Sequence, residues 1–280
     1  MGRLQDKVVL ITGASRGVGE ACALACAREG AHLALAAKTV EPNPKLPGTL
    51  HDVKAQVEAL GRRAIVIQTD VRFEDQVDAM VEETVRTFGR LDALVNNAGA
   101  IFLAPVADWP VKRFDLVFGV NVRAAFLASR AAIPHLRARG GHIVMMSPPV
   151  NPKAAPGKAP YLTSKIGMTI LAQAIDAEEA NICAAALWPV TAIKTAATVN
   201  LGLGLGGEQD WRKPEILADA TLELLAQDPT RAQFRAWLDE DVLGELAGVT
   251  DFKRYDCDPD AAPGPKSIEM VDPDWRAKRG

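Results

Sequence analysis

No stretch of this 280-residue chain stays apolar over the roughly 18 residues that a membrane-spanning helix needs, so no membrane span is expected. The first apolar run, Val8–Ile11, is too short for a secretory signal. An excess of one charge is missing too. Lys and Arg number 32 and Asp and Glu 35, a net of −3, which argues against the basic footprint of a nucleic-acid-binding protein. The four cysteines, Cys22, Cys26, Cys183 and Cys257, form no CxxC pair. Cys22 and Cys26 lie four apart on a predicted helix and read as packing. No His or second Cys pair accompanies them, so no metal is expected. Such cysteine usage suits a reducing compartment, and a cytoplasmic location is expected. There is no internal repeat or low-complexity tract. What is present is ordinary for one large core, with 48% hydrophobic and 24% charged residues.

Short apolar runs alternate with helical patterns. Strands are predicted at Val8–Ile11, His32–Ala37, Ala64–Gln68, Leu91–Val95, His142–Met146 and Ile182–Leu187, with a seventh at Phe234–Leu238. Helices are predicted at Gly17–Arg28, Leu50–Leu60, Glu74–Phe88, Val111–Arg137 with a bend near Pro134, and from Tyr161 to about Glu179. This alternation implies an α/β fold: a doubly wound parallel sheet of about seven strands with helices on both faces. A single domain is expected over residues 1–250. The remainder, 251–280, where Pro, Asp and Lys dominate, is expected to be an arm or tail.

Two motifs carry chemistry. In Thr12-Gly13-Ala14-Ser15-Arg16-Gly17-Val18-Gly19 a strand ends in a glycine turn that opens a helix, which offers backbone N–H groups to a pyrophosphate. Gly13 permits the turn, while Gly17 and Gly19 allow close approach of backbone and ligand. The bland alternative is an ordinary strand–helix turn. The second strand ends in Ala37-Lys38-Thr39 with no acid, and Arg16 lies in the glycine loop. Two cations and no anion favour NADP(H) over NAD(H), unless both are merely solvated. The second motif is Tyr161-Leu162-Thr163-Ser164-Lys165, with Ser147 just past the fifth strand. Tyr161 and Lys165 share a helix face. An ammonium about 4 Å from the phenol would favour phenolate by up to about 4 kcal/mol at an effective dielectric of 20, enough to bring a phenol of pKa about 10 near neutrality.

These residues resemble the short-chain dehydrogenase/reductase family over about Leu4–Leu187. Thr12–Gly19 matches its glycine loop, Asp70-Val71 its adenine-side pair and Asn96-Asn97-Ala98-Gly99 its N-N-A-G turn. Asn121, Ser147, Tyr161 and Lys165 follow the order of its catalytic tetrad. The resemblance implies that Tyr161 exchanges a proton with the substrate oxygen and that Ser147 orients that oxygen. It implies that Lys165 lowers the Tyr pKa and binds the nicotinamide ribose, and that Asn121 anchors a proton-relaying water. Asp70, Val71, Asn97, Ala98, Gly99, Pro189 and Thr191 would border the cofactor. Two places depart from the family pattern. Trp188-Pro189-Val190-Thr191 replaces the usual Pro-Gly, and Asp239-Glu240-Asp241 stands where a glycine-rich ending is usual.

A narrower resemblance is to the hydroxysteroid dehydrogenase-like protein 2 subfamily, whose bacterial relatives are often described as citronellol or citronellal dehydrogenases. It rests on Ala36-Ala37-Lys38-Thr39, Pro42-x-Pro44-Lys45-Leu46, Ser147-Pro148-Pro149 and Leu187-Trp188-Pro189-x-Thr191-Ala192-Ile193. A chain of this length is expected to lack the sterol-carrier domain of the animal members.

By resemblance Thr195–Gly207 forms a mobile substrate lid. Its Ala, Val and Leu content, with Ile101, Phe102, Pro148, Pro149 and Val150, suggests a lipophilic alcohol or carbonyl substrate. His135 and His142 read as structural. The helix from Tyr161 is apolar on several sides, which suits a homodimer or homotetramer or burial within one subunit. A catalytically silent NADP(H)-binding sensor and a non-enzymatic lipid-binding or scaffold protein remain as other readings.

Overall fold

The computed structural model describes residues 2–42, 47–149, 155–200, 211–230 and 234–260. Seven parallel strands form one sheet in the order β3-β2-β1-β4-β5-β6-β7. They are β1 Val8–Thr12, β2 His32–Ala37, β3 Ala64–Gln68, β4 Ala93–Asn96, β5 Gly141–Met146, β6 Ile182–Trp188 and β7 Ala236–Leu238. The helices are α1 Gly17–Arg28, α2 Leu50–Ala59, α3 Glu74–Phe88, α4 Val111–Phe118, α5 Ala124–Arg137, α6 Ala159–Glu178, α7 Ala196–Asn200, α8 Glu215–Leu225 and α9 Asp239–Ala247. This is the Rossmann-type doubly wound α/β fold expected from the alternation.

The apolar runs are continuous because both faces of the sheet are covered. On β1, Val9 and Ile11 enter one core with α1, α2, α8 and α9, while Leu10 enters the other with α3, α5 and α6. The same alternation separates Leu33 and Leu35 from Ala34 and Ala36, and Val144 and Met146 from Ile143 and Met145. Strand order reverses between β1 and β4, so their carboxyl ends diverge and leave a crevice.

Three expectations change. The predicted helix over Val111–Arg137 is interrupted by a π-helical turn, Gly119–Arg123, rather than bent at Pro134, which sits in the last turn of α5. That composite helix is also long and apolar enough by composition to cross a membrane, contrary to the expectation that no stretch is. Here its apolar side, including Ala124, Ala125, Leu127, Ala128, Ala132 and Leu136, joins the sheet core. Helices α8 and α9 lie where no helix is expected; α8 is buried over most of its length against α1 and α9 and so lacks a clear amphipathic period.

Packing also continues past residue 250. Tyr255 is 2% exposed in the core beneath α8, and its hydroxyl donates to Asp219 at 2.7 Å. The Lys213 N–H donates to the Tyr255 carbonyl (2.7 Å) and the Cys257 N–H to the Trp211 carbonyl (2.9 Å). A tail rich in polar residues hides this anchor because two aromatic side chains, Tyr255 and the partly buried Phe252, carry it. Residues 261–280 lie outside the described residues.

Truncating Tyr255 to Ala should cost about 3 kcal/mol, the scale of emptying a large aromatic site. Urea denaturation would read this directly. A variant as stable as the parent would mean that the 251–257 segment is not part of the packed body.

Candidate active site

A cavity of 540 Å³ opens at the carboxyl ends of the central strands, within the size range of cofactor and substrate sites. The turn from β1 to α1 forms its floor. Gly13 holds φ +68°, and a Cβ there would lie 2.9 Å from the Ala98 Cα. Gly17 holds φ +59°. No side chain caps the α1 N-terminus, where Arg16 is extended. Its first N–H groups therefore stay available to an anion. Gly13, Ser15, Arg16, Gly17 and Val18 all line the cavity. Gly19 does not. A Cβ on it would meet the Gly13 carbonyl oxygen at 2.3 Å and the Asn97 Nδ2 at 2.6 Å, so its smallness serves packing of helix on strand rather than approach of a ligand.

The walls come from the ends of neighbouring strands. Lys38 follows β2, and Asp70 and Val71 follow β3. Asp70 accepts from Arg72 Nη2 at 2.6 Å and Nε at 2.9 Å, and the Arg72 contact holds its carboxyl below the usual range. Lys38 Nζ stands 3.9 Å from Asp70, with its side chain 62% exposed. Arg16 donates to the Pro47 carbonyl (3.0 Å) and the Gly48 carbonyl (2.8 Å), which fixes the guanidinium at the cavity mouth. Asn97, Ala98 and Gly99 extend β4 into the cavity. Asn97 Nδ2 donates to the carbonyls of Thr12 (3.0 Å) and Gly13 (3.1 Å), so its side chain braces the floor.

The four tetrad positions converge at the deeper end, though not in the same way. Ser147, Tyr161 and Lys165 line the cavity; Asn121 lies beneath it. The π turn places Asn121 so that its Oδ1 accepts the Ala100 N–H (2.8 Å), while its Nδ2 donates to the Ala100 carbonyl (3.0 Å) and to Ser164 Oγ (2.9 Å). Ser164 in turn donates to the Tyr161 carbonyl at 2.7 Å. The Asn121 side chain is thus a bracket between the segment after β4 and the start of α6.

Lys165 Nζ donates to the Met146 carbonyl at 2.8 Å, and burial lowers its pKa to about 8. Burial also pushes the Tyr161 phenol up to about 12, the reverse of the shift expected from the Lys165 charge. Desolvation of the phenolate is the cause of that shift.

Ser147 Oγ donates to the Lys165 carbonyl (2.8 Å) and accepts from Thr169 Oγ1 (3.3 Å), which accepts from Trp188 Nε1 (3.3 Å). Sequence reasoning missed Thr169. Its spacing four beyond Lys165 and eight beyond Tyr161 on one helix face was the available signal.

Pro189 lines the cavity but Thr191 does not, and its hydroxyl turns to the Ala192 carbonyl. Ile101 and Pro148 lie on the apolar wall. Phe102 is instead edge-on to Trp109 at 5.0 Å, away from that wall. Val150, Pro44–Leu46 and residues 201–207 of the expected lid lie outside the described residues; Thr195–Asn200 are described, with α7 inside them. His142 is buried and its pKa falls to about 4, in keeping with a structural role. Cys22 and Cys26 are buried thiols, and among the described residues no cluster could hold a metal ion.

The short chain dehydrogenase family matches residues 7–201. This chain belongs to that family. It is 42% identical over 262 residues to hydroxysteroid dehydrogenase-like protein 2 of Danio rerio, covering 92% of this chain and 62% of that protein. It therefore spans about three-fifths of the length of that relative. A short-chain dehydrogenase homologue from Mycobacterium thermoresistibile superposes with a TM-score of 0.86 at 41% identity, covering 96% of each chain. Carveol dehydrogenase from Mycobacterium avium, solved with NAD, gives 0.75 at 25% identity, covering 87% of this chain and all of that one. Short-chain dehydrogenases are NAD(P)-dependent oxidoreductases, and the uncapped helix and the glycines at 13 and 17 of the turn fit such a dinucleotide.

With only two tyrosines in the chain, and both Tyr161 and Tyr255 pushed up to about 12, absorbance titration of the cofactor-free protein should show no phenolate step near pH 10. As both folded values lie above the unfolded one, these groups stabilise the fold below pH 10, and that stability is lost as pH rises through 12. A step at or below pH 10 that disappears in Tyr161→Phe would show that Lys165 already governs the phenol.

Proposed function

We propose that this protein is an NADP(H)-dependent oxidoreductase that interconverts a lipophilic alcohol and its carbonyl. The observation that carries the reading is the placement of Ser147, Tyr161 and Lys165 around one cavity whose opposite end is the uncapped N-terminus of α1. A nicotinamide dinucleotide bound there supplies or accepts the hydride. The chain's own residues handle the proton. Tyr161 gives its phenolic proton to the substrate oxygen on reduction and takes it back on oxidation. Ser147 holds that oxygen by turning its hydroxyl from the Lys165 carbonyl toward the substrate, with the Thr169 hydroxyl donating to its oxygen and Trp188 bonded behind Thr169. Lys165 carries the positive charge that opposes the desolvation cost of the phenolate. Gly99 lies beside it, where a Cβ would make only ordinary contacts, 3.7 Å from both Lys165 Nζ and Asn121 Oδ1.

The cofactor preference rests on charge. No acid ends β2 to receive a ribose hydroxyl, and the Asp70 charge is already committed to Arg72. Lys38, loosely paired with Asp70 at 3.9 Å, and Arg16, whose guanidinium donates to two carbonyls without losing its charge, are the cations for a 2′-phosphate. The substrate class rests on Ile101, Val120, Pro148, Leu187 and Ile193 along the cavity. Carveol, named for one structural neighbour, belongs to the same class of alcohol. Phe114, Phe126 and Ile170 stand exposed on α4, α5 and α6 and support a homo-oligomer. Cytoplasmic residence belongs to the same reading.

Tyr161→Phe should bind NADPH as the parent does and lose turnover by at least about a hundredfold, the scale of a removed general acid–base. Full activity in steady-state assays on lipophilic alcohols and ketones would sink the mechanism, whereas a parent that binds NADPH tightly without turnover would favour the sensor. Lys38→Asp should weaken NADPH relative to NADH by about tenfold, a loss of about 1.4 kcal/mol. An unchanged ratio of the two dissociation constants would remove the 2′-phosphate argument.

A further inference from the structure

The two departures from the family pattern meet in space. β6 and β7 are parallel neighbours with Trp188 beside Leu238, so the residues that follow each strand emerge together at the cavity end of the sheet. The Val190 N–H, in the segment after β6, donates to Asp239 Oδ1 at 3.1 Å. The Glu240 N–H donates to the same oxygen at 2.8 Å. Asp239 is 0% exposed, and its Oδ2 is buried without a hydrogen-bond partner. Burial pushes this carboxyl up to about 7, while the Val190 N–H and the Arg212 charge pull it down.

Arg212 holds the same segment further along. Its N–H donates to the Ala192 carbonyl at 2.9 Å, and its carbonyl accepts the Lys194 N–H at 2.8 Å. Its guanidinium, 8% exposed, meets Glu240 at 2.6 Å and Asp256 at 3.2 Å and lies over the Phe252 ring at 5.5 Å. Residues 189–194 are thus fastened at three backbone positions to Asp239 of α9 and to Arg212 before α8, and Arg212 is in turn held by Glu240 and by Asp256 of the C-terminal segment. Two side chains of that segment, Pro189 and Ile193, form part of the cavity wall.

We propose that Asp239 and Arg212 are positioning residues that fix the 189–194 segment against the cavity and thereby set the affinity for the dinucleotide. The inference rests on the functional reading above for its ligand but not for the clamp itself. A buried carboxylate that receives a backbone N–H across two strand ends restrains that backbone at one point; a buried arginine bonded through both its main-chain groups restrains it at two more. Together they give this edge of the cavity the rigidity that binding by a pre-organised site requires.

Hydrogen–deuterium exchange on residues 190–194 tests the clamp, and titration with NADPH and NADH tests its consequence. In Asp239→Ala the segment should exchange at least tenfold faster while β5 and β6 stay protected. The dissociation constant for the better-bound dinucleotide should rise about tenfold, with kcat changed less than threefold. Asp239→Asn keeps a carbonyl oxygen for the two N–H groups and should restore both readouts. If Asp239→Ala does not fold, Arg212→Gln, which keeps the two main-chain bonds but releases the guanidinium that ties them to Glu240 and Asp256, should give a smaller change of the same sign in both readouts. Parental exchange in a folded Ala variant would overturn the proposal, as would faster exchange with unchanged affinity. A parent chain that binds neither NADPH nor NADH would overturn the dinucleotide reading and the affinity half of this proposal, while the exchange result still decides the clamp.

Discussion

The architecture of the site depends on how the ends of β1 and β4 are joined. Strand order reverses there, and an open crevice would leave several backbone groups without partners. The Thr12 hydroxyl resolves this by accepting the N–H groups of Asn97 and Ala98, each at 3.1 Å, while the Asn97 side chain donates back to the carbonyls of Thr12 and Gly13. This reciprocal set fixes the glycine turn against the turn after β4. The direction of α1 follows from it, because Gly19 lets the helix approach the Gly13 carbonyl with no side chain between. A side chain at either glycine would push apart the two surfaces that define the cavity floor.

The opposite wall is fixed by a different device. A regular helix over Val111–Arg137 would present its side chains at a constant angular step, but the π turn shifts that phase at Asn121. The carboxamide then meets both main-chain groups of Ala100 and the Ser164 hydroxyl. Ser164 binds the Tyr161 carbonyl, so the start of α6 is located relative to β4 by side-chain hydrogen bonds. The phenol and the ammonium are rigidly placed for this reason, not simply because they share a helix.

Much of this was legible from residues alone. The strands read correctly because each is an apolar run that feeds two cores, and Gly17–Arg28 and Glu74–Phe88 read correctly because their ends carry turn residues and their apolar positions keep helical period. The failures have a common cause. Helix α8 is buried over most of its length and shows no period; the π turn leaves no compositional trace; Tyr255 and Phe252 anchor a segment that is otherwise polar. At the site, sequence order pointed to Ser147, Tyr161 and Lys165, which line one cavity, and to Gly19 and Thr191, which lie off it; a motif does not distinguish a packing contact from a cavity-lining one. Asp239 and Arg212 were invisible as a pair, since 27 residues and a strand separate them.

The electrostatics of Tyr161 show why geometry alone does not make a base. Placing a lysine one helical turn away would favour phenolate if both groups were solvated enough to keep their charges. In this chain Lys165 is buried and Tyr161 half-buried, and the desolvation that raises the phenol to about 12 lowers the ammonium to about 8. Desolvation thus favours a neutral Tyr161 phenol, while the Lys165 side chain is engaged with the Met146 carbonyl. A neutral phenol is the form that can donate a proton, which suits reduction directly. Oxidation requires the reverse: a charge or hydrogen-bond donor must compensate the phenolate when substrate and dinucleotide displace water from the cavity. The acid–base pair is therefore completed by what the cavity binds, and the precision with which the α1 turn, the Asn121 bracket and the Asp239–Arg212 clamp shape that cavity becomes part of the proton chemistry itself.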